Sequence, residues 1–389
     1  MIAKLENIGP FHIFFTLSCG DKRCDENFSF FLVTNGYTIE YSVDEHGMME
    51  TSVKNKDGIS KLLEQFLIED IDESLHEMIR TNVLSATRNF HNRVVEFRKS
   101  IMMGRNNEMN VKYISYRVEF QGRGAAHIHG TLWLDLQKIE KSKPFTENKS
   151  TGKLFEAFCK LRNEQRLSES EKDAISMLTD TFISCSLNPA IVTQEVVNIA
   201  LAVNCHHCTR KCENRCKYNF PRFPVKETIV IDKHEFDDRD EEESTSSQTK
   251  TNYRKILQEI QEILKDEDKL NAIMQKFPRK GETKEENYHY RAERIDEMLE
   301  LAGDIKYEDY IMAMKRAKKH GSTVIIQRDV DEIYVNNYNP EWLMNWNANI
   351  DIQPVLDFFA VITYVTDYWA KPDPNQNGRK DASKWQIPL

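Results

Sequence analysis

The sequence predicts an α+β protein, on three observations. Val111-Lys-Tyr-Ile-Ser-Tyr-Arg-Val-Glu-Phe-Gln121 and His127-Ile-His-Gly-Thr-Leu-Trp-Leu134 read as two strands joined by the turn Gly122-Arg-Gly-Ala125, which makes an antiparallel hairpin. Phe11-His-Ile-Phe-Phe-Thr-Leu-Ser18 is rich in aromatic and β-branched residues and reads as a further, buried strand. Long stretches between and beyond these runs carry helical rather than alternating spacing.

Taken in order, the strand at 11–18 is followed by helical spacing over 59–101, with Leu62, Leu63, Phe66, Leu67 and Ile71, then Ile79, Val83, Phe90, Val94 and Phe97. The hairpin comes next. Residues 152–202 read as helical with a loop near Ser186–Ala190, and a Cys-rich knot occupies 203–224. Residues 232–251 are acidic and lack apolar anchors, so they read as a disordered loop. From Tyr253 to about Ala302 the pattern is a charged amphipathic helical pair, broken at Phe277-Pro278. A strand over Ser322–Arg328, a Tyr/Asn/Trp-rich stretch and an apolar helix over Pro354–Ala370 follow, the helix stopping before Pro372. No internal repeat is visible. A chain of 389 residues suits two domains, or one domain with insertions.

Composition excludes little, but what it excludes is useful. No run of eighteen apolar residues occurs, so a membrane partner is not expected. Met1-Ile-Ala-Lys-Leu-Glu-Asn lacks the apolar core of a secretory leader, and the chain is expected to stay inside the cell. The net charge of −9 does not argue against nucleic acid, because its placement is uneven. Glu235, Asp237, Asp238, Asp240, Glu241, Glu242 and Glu243 form one acidic block, whereas Arg210, Lys211, Arg215, Lys217, Arg222 and Lys226 lie just upstream with Glu213 as the one acid among them. A local basic patch can hold phosphate while an acidic loop sets the total.

Three groups of residues carry chemistry. His127 and His129 are two apart on a strand, so they share one face while Ile128 points the other way; Glu119 and Gln121 share a face of the partner strand by the same parity. Two imidazoles and an oxygen ligand meeting there would suit a divalent cation with open positions. A bare His-x-His on an edge strand is ordinarily a pair of surface histidines; the adjoining Glu-Phe-Gln and Gly-Arg-Gly set this one apart. Tyr364 and Tyr368 are four apart and stack on one helical face, which Lys371 extends. Such a pair ordinarily packs a core, but a tyrosine beside a metal-held phosphate becomes a competent nucleophile. The third group is Cys205-His-His-Cys208-Thr-Arg-Lys-Cys212-Glu-Asn-Arg-Cys216, six thiol or imidazole donors where a structural zinc needs four. His207, Cys208, Cys212 and Cys216 are the preferred set, with Cys205 the competitor.

These residues resemble a known family. Glu119-Phe-Gln-Gly-Arg-Gly-Ala-Ala-His127-Ile-His129 is similar to the Glu-Phe-Gln-x-Arg-Gly-x-x-His-x-His stretch of Helitron transposon Rep proteins, members of the His-hydrophobic-His (HUH) single-strand endonucleases. Asn7-Ile-Gly-Pro-Phe-His-Ile-Phe-Phe-Thr-Leu-Ser-Cys-Gly-Asp21 resembles that family's first strand, and the Cys stretch running into Cys216-Lys-Tyr-Asn-Phe-Pro-Arg resembles its cysteine segment. Val335-Asn-Asn-Tyr-Asn-Pro340, Asn349-Ile-Asp-Ile-Gln353 and Tyr364-Val-Thr-Asp-Tyr368-Trp-Ala-Lys371 resemble its two-tyrosine region. Asp367 stands where the family commonly has a basic residue, and Ala126 where it often has proline.

The resemblance implies a central antiparallel sheet of HUH type flanked by helices, with the histidine hairpin mid-sheet and zinc-knot and helical insertions. The expected divisions are 1–202 and 321–389 for the nuclease core, 203–226 for the knot, 227–251 for the acidic loop and 252–320 for the helical insertion. It further implies a nuclease of a rolling-circle transposon that cuts single-stranded DNA with Mg²⁺ or Mn²⁺ held by His127, His129 and either Glu119 or Gln121. Tyr364 or Tyr368 would form a 5′-phosphotyrosine and free a 3′-hydroxyl, with Lys371 neutralising charge, and Zn²⁺ would stabilise the knot. Arg123, Arg210, Lys211, Arg215, Lys217 and Arg222 would line the DNA path. No Gly-x-x-x-x-Gly-Lys-Ser/Thr loop occurs in these residues, so unwinding is expected from a helicase in a further C-terminal region or another chain. A nuclear location follows only from a chromosomal DNA substrate. The competing reading is a catalytically inactive module that holds single strands through the knot and Tyr218, Phe220 and Phe223.

Overall fold

The computed structural model describes residues 8–20, 32–33, 36–43, 49–55, 57–62, 65–66, 83–105, 107–120, 125–147, 152–207, 216, 218–236, 247–279, 283–318 and 321–363. In chain order the elements begin with strands β1 (Ile13–Ser18), β2 (Thr38–Val43), β3 (Met49–Lys54) and β4 (Ser60–Leu62), then helix α1 (Val83–Phe97), which ends in a π-helical turn over Arg98–Met102. The hairpin β5 (Val111–Phe120) and β6 (Ala126–Leu134) follows, then helices α2 (Leu136–Ile139), α3 (Lys143–Glu147), α4 (Lys153–Arg162), α5 (Glu169–Phe182) and α6 (Gln194–Ile199). Next come β7 (Ile229–Ile231), helices α7 (Ser247–Leu264), α8 (Glu267–Lys276), α9 (Lys284–Leu301) and α10 (Tyr307–Ala317), then β8 (Thr323–Ile325), α11 (Pro340–Trp346) and β9 (Ile350–Pro354).

The central sheet has the order β5-β6-β1-β9 with every pair antiparallel. Two smaller sheets, β2-β3-β4 and β7-β8, stand apart from it. β6 and β1 are therefore the inner strands, and their sequences show it, because a strand paired on both sides and covered on both faces has few exposed positions. One face is apolar: Ile128, Leu132, Phe15, Leu17, Ile350 and Ile352 are all buried there. It packs on α1 and α11 through edge-on aromatic contacts, Phe15 to Trp342 at 5.5 Å, Phe97 to Trp342 at 5.6 Å and Phe90 to Trp346 at 5.9 Å. Gly130 pairs with Phe15, and a Cβ at Gly130 would come within 2.2 Å of the Phe15 ring; only glycine leaves room for that ring between the strands.

On the opposite face, α4 covers the end of the sheet away from the hairpin turn. Phe158 lies edge-on to His12 with centroids 4.7 Å apart, and Nδ1 of His12 accepts the Leu134 amide at 2.9 Å. α5 opens with a capping box in which Ser168 and Glu171 satisfy each other's backbone amides, and Lys160 of α4 pairs with Glu171 at 2.7 Å. Helices α7 to α10 form a second core of their own, with Ile260, Ile263, Leu264, Ile273, Ile295, Met298 and Tyr310 buried among them. Among the described residues no helix is long and apolar enough to cross a membrane.

The architecture is α+β with antiparallel sheets, as the sequence predicts. Several elements differ in detail. Residues 60–62 form β4 rather than the start of a helix, and β2 and β3 were not foreseen, although Ile39, Tyr41 and Val43 alternate along β2; that strand is largely exposed, and in β3 only Val53 is buried. The loop expected over 227–251 contains β7, a fully buried Asp232 that accepts the Leu167 amide at 2.7 Å, and Glu235, which pairs with Lys172 and Lys315. Acidic side chains anchor this segment where apolar ones are missing. α7 starts at Ser247, within the same expected loop, while residues 237–246 lie outside the described residues. The helical pair is three helices, because Asp266 caps α8 through the Lys269 amide and breaks the run. The final helix starts at 358, not 354: Ile350–Pro354 is spent on β9, and Asp357 caps the new helix through the Ala360 amide at 3.0 Å.

Two outcomes are expected. Gly130→Ala should destabilise the protein by about 1–3 kcal/mol in urea unfolding, and Phe15→Leu in the same chain should recover part of that loss. Burial lowers the His12 pKa from 6.5 to about 3. The folded pKa thus lies below the unfolded one, so stability is fully present above about pH 6.5 and is lost as pH falls toward 3. Unfolding at about pH 7 and about pH 4.5 should differ by about 1–3 kcal/mol from this residue, and His12→Asn, whose Oδ1 can accept the Leu134 amide without titrating, should flatten that component.

Candidate active site on the central sheet

Pleat parity assembles a polar face on the side of the sheet away from Trp342 and Trp346. His127 lies opposite Glu119 on β5 and Ser18 on β1; His129 lies opposite Arg117 and Thr16, and Thr16 opposite Asp351 on β9. Directly paired residues share a face, so two rows run across the sheet, Glu119–His127–Ser18 and Arg117–His129–Thr16–Asp351. The sequence reading puts Glu119 and the two histidines together, and in the structure they are together. The two imidazoles are 4.8 Å apart between centroids, and Nε2 of His129 is 3.0 Å from Oε2 of Glu119. Ser18 Oγ lies 3.2 Å from Nδ1 of His127.

Electrostatics keep His127 neutral. Its pKa falls from 6.5 to about 4, first through burial, then through the neighbouring His129, with Glu119 pulling the other way. A neutral imidazole keeps the lone pair that a cation needs. The 3.0 Å between His129 Nε2 and Glu119 Oε2 is a direct hydrogen bond. Among the described residues no group of three or more His, Cys, Asp or Glu is placed to hold a metal ion. Gln121 and Arg123 lie outside the described residues, as do Tyr364, Tyr368 and Lys371.

The Cys-rich segment is described in part. Cys208, Arg210, Lys211, Cys212, Arg215 and Lys217 lie outside the described residues. Cys205 forms an isolated bridge with Val335, which sends the next side chain, His206, inward; His206 stacks on Phe220 with centroids 4.5 Å apart and sits 3.2 Å from Cys216 Sγ through Nε2. Cys216 also accepts the Tyr218 amide at 3.4 Å. His207, the preferred ligand of the sequence reading, is exposed, and His206 is the imidazole at Cys216. Arg222 lies, half-buried, over the Phe220 ring at 4.8 Å, and burial raises the Asp351 pKa against the opposing pull of the Arg222 guanidinium. The Cys segment therefore reaches the β9 edge of the histidine face.

Sequence reasoning missed Ser18, Asp351 and His206. The first two had a signal. Thr16 and Ser18 interrupt an apolar strand at period two, and Ile350-Asp-Ile352-Gln alternates.

Residues 1–132 match the family model described as the Helitron helicase-like domain at the N-terminus, a span that holds Ser18, Glu119, His127 and His129. The matched region is Helitron-related, which points to a transposon-associated protein, and it takes in β1, β5 and β6 as far as Leu132. No curated protein and no solved structure matches the chain.

Proposed function

We propose that this Helitron-related chain is a metal-dependent endonuclease and strand transferase that acts on single-stranded DNA at transposon ends and targets. The observation that carries the reading is the meeting of His127 and His129 of the inner strand β6 with Glu119 of β5 on one face of the central sheet, His129 Nε2 and Glu119 Oε2 being 3.0 Å apart. These residues would hold Mg²⁺ or Mn²⁺, with Gln121 the other candidate for the oxygen ligand. The cation, when bound, polarises the scissile phosphate and stabilises charge on its oxygens.

The chain's own residues supply the rest. Burial keeps His127 neutral, and the strand fixes the positions of both imidazoles. Glu119 would contribute the hard oxygen donor and balance the cation's charge. Tyr364 or Tyr368 attacks phosphorus: the Tyr O–P bond forms, the P–O3′ bond breaks, the phenol gives up its proton and the departing 3′ oxygen takes one up. Because the phosphodiester is kept as a tyrosyl ester, the reverse attack by a 3′-hydroxyl reseals a strand, and a second tyrosine can accept a second one. Lys371 would neutralise a phosphate or the phenolate. Zn²⁺ would be held in the Cys segment by His206 and Cys216, with the remaining ligands among Cys205, Cys208 and Cys212; the Tyr218 amide donated to Cys216 Sγ is the kind of contact that steadies a metal-bound thiolate. Arg222, and the other basic residues of that segment with Arg123, would hold the DNA backbone. A helicase in a further C-terminal region or another chain would supply single strands, and the working place would be the nucleus.

The test is incubation with end-labelled single-stranded DNA and Mn²⁺, read on a denaturing gel. A slower, protease-sensitive band is expected from the wild type. His127→Ala/His129→Ala and Tyr364→Phe/Tyr368→Phe should lose it, by at least about 100-fold. Binding without any covalent band across a varied oligonucleotide pool would leave the single-strand-holding module as the function.

A further inference from the structure

The contact between β1 and His127 carries a role that the metal ligands alone do not supply. Ser18 is paired directly with His127, and its Oγ lies 3.2 Å from Nδ1. Its backbone is held from both sides: the amide donates to the Asn349 carbonyl at 3.0 Å, and the carbonyl accepts Nε1–H of Trp346 at 2.8 Å. One residue on, the Cys19 carbonyl accepts Arg93 at 2.8 Å, and the same guanidinium donates to the Trp346 carbonyl at 2.6 Å. At Gly20 the backbone turns with φ +63 so close to Ala348 that a Cβ would lie 2.6 Å from its methyl. The hydroxyl is thus carried on a fixed piece of strand, on the opposite side of His127 from Glu119.

A neutral imidazole has one N–H and one lone pair, and the partner of one nitrogen decides which nitrogen keeps the pair. We propose that Ser18 is a positioning residue for His127: its Oγ accepts the Nδ1 proton, holds the ring in the Nδ1–H form and leaves Nε2 as the donor to a divalent cation. The inference rests on the reading of the histidine face as a Mg²⁺ or Mn²⁺ site. A serine that instead donated to Nδ1 would put the ring proton on Nε2 and block coordination, so the two arrangements are opposite in consequence.

The test uses the full chain with ¹⁵N-labelled histidine and two-bond ¹H–¹⁵N spectra without metal near neutral pH, with His127→Gln to assign the signal. The Nδ1–H form is expected for His127 in the wild type and in Ser18→Thr, and a shift toward Nε2–H in Ser18→Ala. Mn²⁺ affinity, followed by electron paramagnetic resonance, should fall about 10- to 100-fold in Ser18→Ala and return in Ser18→Thr. An Nε2–H signal for His127 in the wild type overturns the proposal, and this readout needs no variant to fold. A folded Ser18→Ala with unchanged tautomer and unchanged Mn²⁺ affinity overturns it as well. Mn²⁺ uptake that ignores His127→Ala/His129→Ala would sink the metal reading instead, while the tautomer measured without metal still decides the Ser18 contact.

Discussion

β6 is paired on both sides, and an inner strand has no freedom to rotate its pleat. Ile128, Gly130 and Leu132 must enter the layer of Phe15, Trp342 and Trp346, and this forces His127, His129 and Thr131 onto the other face. A one-residue slip would bury both imidazoles against tryptophan and expose the aliphatic set, so the apolar packing fixes the position of the polar site. Gly130 is the tightest point of the arrangement, because the Phe15 ring occupies the space a side chain would need. The chemistry of the face is thus held in register by the core behind it.

A second constraint ties the insertions to this sheet. Arg328 is buried and spends its guanidinium on the Glu332 and Val335 carbonyls and on Asn337 Oδ1, which closes the turn 328–337. That turn meets every neighbouring part. Asn337 receives the Ile352 amide of β9, Tyr334 receives the His206 amide of the Cys segment, and Asp329 and Asp331 pair with Arg294 of α9, all at 2.7–3.0 Å. Buried charge is expensive to desolvate, and here several carbonyls and carboxylates share it, so that removing one partner would strand the others. The turn thus joins helical insertion, Cys segment and sheet edge, with Val225, Val330 and Ile333 packed in the helical core and Val335 in the core of the sheet.

What could be read from the sequence follows the same division. The hairpin, β1 and the meeting of Glu119 with His127 and His129 were legible, because period-two alternation is a local signal and parity alone assigns faces. β2 was not read although Ile39, Tyr41 and Val43 alternate along it, because the run is short and flanked by no second apolar run; β3, Met49-Glu-Thr-Ser-Val-Lys54, has no periodic contrast. The order of Asp232 and Glu235 was not legible either, since it depends on Leu167, Lys172 and Lys315 from distant segments. His206 and His207 are neighbours of identical chemistry, and only the bridge of Cys205 to Val335 tells which one turns toward Cys216. Strand order is likewise non-local: β9 joins β1 across more than three hundred residues, and nothing in Ile350–Pro354 names its partner.

The charge on the histidine face bears on why a nuclease here would depend on a cation. Glu119 stands in one row and Asp351 in the other, both on the side that a phosphodiester would approach under the proposed function. The Glu119 carboxylate repels such a ligand, more so in a partly buried setting where water screens poorly, whereas burial raises the Asp351 pKa and Arg117 stands in the same row as Asp351. At the β9 edge the repulsion is already met, since Arg222 and Arg328 both act on Asp351. At the hairpin end Glu119 faces neutral His127 and lies against His129. Under the proposed function a divalent cation held by Glu119 and the imidazoles would offset the Glu119 charge, and Arg222 would take a flanking phosphate without one. The same face would then bind DNA along its length, while confining bond cleavage to the end where the metal is held.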